Sequence, residues 1–146
     1  MGLSTHVLDT MHGRPAAGMQ VALYAVVADQ HGHNDRPEGR HRNNDTNNPT
    51  NNPTNASGAS HLLKSFTLNA DGRCPEGLLL DKTSLQRGNY RLVFEVATYF
   101  RNQGVVLPDP PFLDRVTLDF GIADPTSHYH VPLLATPWSY STYRGS

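Results

Sequence analysis

Apolar and polar residues alternate through much of this 146-residue chain, and a period of two marks half-buried strands. In the first stretch Leu3, Thr5 and Val7 face one way and Ser4, His6 and Leu8 the other. A turn with Gly13 and Pro15 follows, then a longer strand in which Met19, Val21, Leu23, Ala25 and Val27 share a face. Leu62, Lys64, Phe66 and Leu68 predict a third strand. It ends at the turn Asn69-Ala70-Asp71-Gly72-Arg73-Cys74, where Asp-Gly supplies a positive φ and leaves Arg73 on a tight backbone. A short strand at Leu78–Leu80 comes next. Asp81 to Gly88 then has the turn residues and terminal glycine of one or two turns of helix. Tyr90, Leu92, Phe94, Val96 and Thr98 define the clearest strand, and Val116, Leu118, Phe120 and Ile122 another, beyond a proline-stiffened loop at Pro108–Pro111. His128 to Leu134 is the last full strand before the terminal segment. About seven strands, Gly/Pro turns and one short helix predict an all-β chain folded as an antiparallel two-sheet β-sandwich.

One region breaks the pattern. From about 31 to 60 large apolar residues almost vanish, and Thr-Asn-Asn-Pro occurs twice in tandem, at Thr46–Pro49 and Thr50–Pro53. Such a stretch buries too little surface to offset its ordering entropy, so it is expected to be a disordered surface insertion in a single domain spanning 1–146. Its histidines, His31, His33 and His41, have no fixed geometry for a metal.

Composition narrows the function. A formal net charge of -1 gives no footprint for nucleic acid. No stretch is apolar enough to span a bilayer, and the start has no basic segment leading into a long apolar run, so a cytoplasmic location is expected. Cys74, the single cysteine, permits no internal disulfide and has nothing nearby to make it a thiolate. Eight histidines are many for this length.

Two of them, His128 and His130, stand at alternate positions of a strand, which places both imidazoles on one face. Close behind comes Tyr140-Ser141-Thr142-Tyr143-Arg144-Gly145-Ser146, aromatic, then cationic, then small, a composition unlike an ordinary solvated end. Arg144 suits a salt bridge that pins this tail. Histidines beside a tethered Tyr-Arg end suit a small anionic heterocycle. The same pair with His6 also matches a three-histidine zinc pattern, although Arg73 and Arg144 would put cations near the metal.

Three separated stretches resemble the 5-hydroxyisourate hydrolase family, the transthyretin-related proteins: Leu3-Ser4-Thr5-His6-Val7-Leu8-Asp9, the Asn69–Cys74 turn, and His128–Leu134 with the Tyr-Arg-Gly-Ser end. The resemblance covers nearly the whole chain outside the Asn-rich insertion. It implies a transthyretin-like (prealbumin-like) sandwich assembled as a homotetramer, with sites at subunit interfaces. It also implies hydrolysis of 5-hydroxyisourate without metal or organic cofactor. The motif positions carry over to His6, His130, Arg73 and Ser146 as catalytic residues. His6, Arg73, Tyr143 and His128 carry over as substrate-binding residues. The chemistry fits these residue types: a ring amide needs an activated water, stabilisation of an oxyanion and a proton for the departing nitrogen. His6 and His130 would share the proton transfers, and Arg73 would hold the substrate's oxygens through its planar fork. Tyr143 would bond or stack on the flat ring, and Ser146 with its carboxylate would fix neighbouring groups. The chain departs from the family pattern in the long insertion, in Leu68 where a threonine is frequent, and in Pro137-Trp138-Ser139 before the tail. The alternative is a transthyretin-like protein that binds a small molecule in the same fold without catalysis.

Overall fold

The expected first strand is two strands. In the computed structural model, which describes residues 1–27 and 59–146, β1 (Gly2–Ser4) stops at Thr5 and β2 (Val7–Asp9) resumes after His6. The alternation persists through the break, since Leu3, Thr5 and Val7 are all fully buried. Next come β3 (Arg14–Pro15), β4 (Gln20–Val26), β5 (Ser60–Thr67), β6 (Leu80–Asp81) and β7 (Gly88–Phe94). A helix α1 (Val96–Asn102) precedes β8 (Val116–Ile122), β9 (Tyr129–His130), β10 (Leu133–Ala135) and β11 (Tyr140–Thr142). The Asn-rich insertion predicted over about 31–60 lies, up to residue 58, outside the described residues; its last residue, Ser60, begins β5.

One layer is the four-stranded sheet β5-β4-β7-β8, antiparallel throughout. The other layer is built from two short sheets, β6-β1-β9 and β11-β10-β2-β3. Here β1 pairs with β9, and β2 with β10, in parallel. The same register holds on both sides of the break: Ser4 opposes His130 and Val7 opposes Leu133. Two backbone bonds carry the ladder across it, Val131 N–H to the Ser4 carbonyl and Leu133 N–H to the His6 carbonyl, both 2.9 Å. Pro132 has no N–H to offer between them, and the buried Thr5 hydroxyl donates to the Val131 carbonyl at 2.7 Å. The sandwich is therefore of mixed pairing, where alternation alone suggested an antiparallel one.

The two layers meet in one core. Leu3, Val7 and Leu133 from the interrupted layer join Val21, Leu23, Leu92 and Phe94 from the other, with Phe100 and Val96 of α1 closing an end. The expected strand over Tyr90–Thr98 ends at Phe94 because the buried positions change period: Val96, Ala97, Tyr99 and Phe100 fall on one helical face. The helix expected at Asp81–Gly88 is instead a single turn. The Asp81 carboxylate accepts from the backbone and hydroxyl groups of Thr83 and Ser84, and Gly88 opens β7. In β5 a bulge opposite Leu23 and Tyr24 skips Leu63, so Leu62 leaves the inward face and both leucines are exposed. Leu68, just past the strand, is buried and donates its N–H to the Met19 carbonyl.

Asp9, at the end of β2, is buried and ties the layer to α1. It accepts from the His12 backbone (2.9 Å), from His12 Nδ1 (2.6 Å) and from the Tyr99 hydroxyl (2.8 Å). Burial pushes its carboxyl up, but the bonds from His12 and Tyr99 outweigh that and hold it below the ordinary value. Burial, and then the bond to Asp9, push the Tyr99 phenol up to about 12.

Gly72 sets the turn that carries Arg73. Its φ is 70°, and a Cβ there would meet the Val7 carbonyl oxygen at 2.5 Å and Pro15 Cβ at 3.1 Å. That oxygen already accepts from Ala16 N–H, while Val7 N–H donates to the Gly72 carbonyl. Gly72→Ala is expected to lower the unfolding free energy by about 1–3 kcal/mol from backbone strain alone. Denaturant unfolding checks this; an unchanged midpoint would show that the turn relaxes freely. No helix among the described residues is long and apolar enough to cross a membrane.

Candidate active site

The break in the interrupted layer is where the chemistry-bearing residues gather. His6 occupies it on one strand, and an isolated antiparallel bridge joins His6 to Arg73. Arg73 is delivered by the Asn69–Cys74 turn. Asn69 Oδ1 accepts from the N–H groups of Asp71 (3.0 Å) and Arg73 (3.1 Å), and Asn69 N–H bonds the Arg73 carbonyl at 2.9 Å. With both flanks of the turn fixed, the Arg73 side chain leaves a rigid backbone and is exposed. Cys74, next in line, turns inward and is buried, in accord with a packing role.

His130 is held from two sides. On one it opposes Ser4 in the parallel register; on the other a second isolated bridge joins it to Gly145. Gly145 N–H donates to the His130 carbonyl at 2.7 Å, and His130 N–H donates to the Gly145 carbonyl at 3.1 Å. Space is tight here: a Cβ at 145 would sit 3.0 Å from His130 Cβ and 3.1 Å from its Cδ2, so the His130 side chain would have to give by a few tenths of an ångström. Gly145 thus lies against the backbone and ring of His130, which sets Ser146 one residue beyond that contact. Upstream of β9 the chain is aimed by Asp124. Its carboxylate accepts from Thr126 N–H (2.9 Å), the Thr126 hydroxyl (2.6 Å) and the Ser127 hydroxyl (2.7 Å).

His128 and His130 do share a face, as strand alternation predicts. Both reach one atom: Ser4 Oγ lies 3.1 Å from His128 Nε2 and 2.8 Å from His130 Nδ1. Sequence reasoning assigned Ser4 no part in the site. Its signal lies in its pairing partner, since parallel register puts it opposite His130, and no local pattern reveals that register.

Both site imidazoles are held below the ordinary histidine value. For His6 the causes are burial and then the Arg73 charge, opposed by the backbone and charge of Asp71. For His130 they are burial, then Arg73, then His6 and His128. Arg73 therefore acts on both rings at once. Near pH 7 each is neutral and able to accept a proton.

Tyr143 and Arg144 lie elsewhere. Tyr143 is 60% exposed. With Arg144, Tyr140 and Thr142 it faces a hollow of about 480 Å³, bounded across the way by Thr117–Gly121 and by Tyr129 and Val131. No histidine among the described residues lines that hollow. Among the described residues Arg144 makes no salt bridge. Its guanidinium carbon stands 4.5 Å from the Tyr129 ring centre, a cation–π contact worth about 0.5–1 kcal/mol where exposed. The tail is pinned by this contact, by the Gly145 bridge and by β11, which pairs with β10. Among the described residues no three His, Cys, Asp or Glu side chains converge as a metal-ligating group. The His6 charge acts on His130, but the three histidines are not gathered as a ligand set among the described residues.

Comparison with known proteins gives this arrangement its relatives. The family model described as HIUase/Transthyretin family matches residues 3–145. The chain is 44% identical over 144 residues to 5-hydroxyisourate hydrolase 2 of Rhizobium meliloti (strain 1021), covering 99% of this chain and 95% of that one. Among solved structures it is similar to Klebsiella pneumoniae 5-hydroxyisourate hydrolase, at 27% identity and a TM-score of 0.63 over the whole of both chains. It is also similar to (S)-allantoin synthase, at 34% identity and a TM-score of 0.75, where 99% of this chain spans 43% of that longer one. The match runs through β1, the Arg73 turn, β9 and the tail alike, and with the transthyretin-like sandwich on which they sit it leaves one assignment: the chain belongs to the HIUase/Transthyretin family.

Proposed function

We propose that this protein is a 5-hydroxyisourate hydrolase of urate catabolism. It converts 5-hydroxyisourate to 2-oxo-4-hydroxy-4-carboxy-5-ureidoimidazoline by water attack on a ring amide. The observation that carries the reading is the placement of His6 and His130 on paired strands at the break, with Arg73 bridged to His6; the Arg73 charge acts on both rings. A neutral imidazole can take the proton of an attacking water, and a second can return one to the departing nitrogen. An arginine fork beside them opposes the negative charge that grows on the carbonyl oxygen. Curated relatives of that name, matched over nearly the full length of both chains, support the substrate.

The residue roles are proposals of the same reading. His6 and His130 move protons, Arg73 binds and stabilises, and Ser146 orders the groups around His130. No metal or organic cofactor takes part. Tyr143 reaches substrate only if chains assemble, and we place it at an interface of a homotetramer. Its exposure, and that of Tyr140 and Trp138, on the edge where β11 has no outer neighbour among the described residues supports that placement.

The test generates 5-hydroxyisourate in place with urate oxidase and follows its ultraviolet decay, on protein whose mass in solution is fixed by sedimentation. Faster decay that survives a chelator, from a tetramer, is the expected outcome. Chelator-sensitive decay would return the histidines to a metal role. A folded tetramer that leaves the decay unchanged would make the protein a binder without chemistry.

A further inference from the structure

Ser4 is buried to 8% exposure, and its one hydroxyl meets two imidazole nitrogens, His128 Nε2 at 3.1 Å and His130 Nδ1 at 2.8 Å. A hydroxyl has a single hydrogen to donate. Its two lone pairs could accept from both rings, but the buried hydroxyl hydrogen would then have no acceptor among the described residues, so it donates to one ring and accepts from the other. The tautomers of His128 and His130 are therefore linked through Ser4. When Ser4 donates to His128, His130 carries its hydrogen on Nδ1 and its Nε2 is bare. When Ser4 donates to His130, Nδ1 is bare and the hydrogen sits on Nε2.

We infer that Ser4 is a positioning residue for the hydrolytic reaction, which holds His130 in the Nδ1–H tautomer by giving its own proton to His128. This rests on the role proposed above for His130. One polarity is singled out by what a base must do. A neutral His130 accepts a proton through a bare Nε2, and the resulting imidazolium must then donate from Nδ1. With Ser4 turned toward His128, the Nδ1–H···Oγ bond is the same before and after that transfer. With the opposite polarity, Nε2 already carries a hydrogen and cannot take another, and protonation at Nδ1 would force the hydroxyl to rotate away. The first arrangement needs no reorganisation during the step, which is where preorganised hydrogen bonds help catalysis most.

The surroundings agree with a fixed ring. Backbone bonds to Gly145 hold His130 on its far side, and its Nε2 makes no hydrogen bond among the described residues. The other groups acting on it are the Arg73 cation, His6 and His128. Among the described residues none of them bonds Nδ1, so Ser4 determines which nitrogen carries the hydrogen. In this arrangement His128 acts through Ser4 and need not touch substrate.

The test reads nitrogen directly. In protein labelled with ¹⁵N-histidine, long-range proton–nitrogen spectra distinguish a protonated ring nitrogen from a bare one, and His130 is assigned by its absence in His130→Gln. The wild-type protein near pH 7 is expected to show Nδ1 protonated and Nε2 bare at His130. In Ser4→Ala and in His128→Phe that pattern should give way to a mixture, and kcat should fall by about tenfold with KM changed less than about twofold. That is less than removal of the base itself costs. Ser4→Thr, which keeps the hydroxyl, should restore both. A wild-type His130 with Nε2 protonated would overturn the inference, and so would variants that keep the wild-type spectrum. The spectrum decides the matter even where a variant fails to fold. It also separates two failures: a full rate from His130→Gln would refute the proposed role of His130 and leave the tautomer observation standing.

Discussion

Replacing His6 or His130 by glutamine is expected to lower kcat by about 100- to 10,000-fold, the range for a positioned acid or base. Glutamine can still hydrogen-bond but cannot accept and return a proton. Each ring sits where the backbone is held by other means: His6 between β1 and β2 with the Arg73 bridge, His130 in register with Ser4 and against Gly145. The fold should survive either change, and circular dichroism confirms that it has. The two losses should not multiply. If one imidazole takes the proton of water and the other returns it, a site lacking one is already without the relay. The double variant should then fall close to the poorer single variant. Rates within tenfold of wild type from either single variant would remove that histidine from the chemistry.

The sequence carried the face assignments well and the pairing poorly. Leu3, Thr5 and Val7 read as one buried face and are so, because a period of two is a local property. The break after Ser4 is not local. It exists because the same strand pairs with β6 at one end and β3 at the other, and no window of the sequence holds both partners. Parallel pairing with the His128–Leu134 stretch was invisible for the same reason, and with it the meeting of Ser4 with two histidines. Val96 and Thr98 extend the strand pattern of Tyr90–Phe94, yet Val96, Ala97, Tyr99 and Phe100 also satisfy a helical period. Short apolar runs satisfy both, and burial against Asp9 and the core decides between them. At the site, Arg73 was legible because Asp-Gly dictates its turn. The partner of Arg144 was not: a cation close to a tyrosine face and a cation close to a carboxylate look alike in sequence.

The same logic makes Arg73 the residue whose loss is felt in two separable ways. Its charge depresses both His6 and His130, while its fork of donors is available to the substrate. The acid limb of kcat/KM reports protonation of the free enzyme's base, and for both rings it should lie below the ordinary imidazole value of 6.5. Activity is then full above that limb and lost as pH falls through it. In Arg73→Gln the cation no longer opposes protonation, so both imidazoles hold protons more tightly and the limb moves to higher pH. The plateau should also drop, by about 100- to 1,000-fold if the fork contacts the developing oxyanion. Arg73→Lys keeps the charge and discards the planar fork. Its limb should stay where the wild type has it while its plateau falls. A limb unmoved in Arg73→Gln would mean that Arg73 serves the substrate alone and that burial accounts for the depressed histidines. A shifted limb with an undiminished plateau would mean the reverse, an arginine that tunes the bases and never touches the oxyanion.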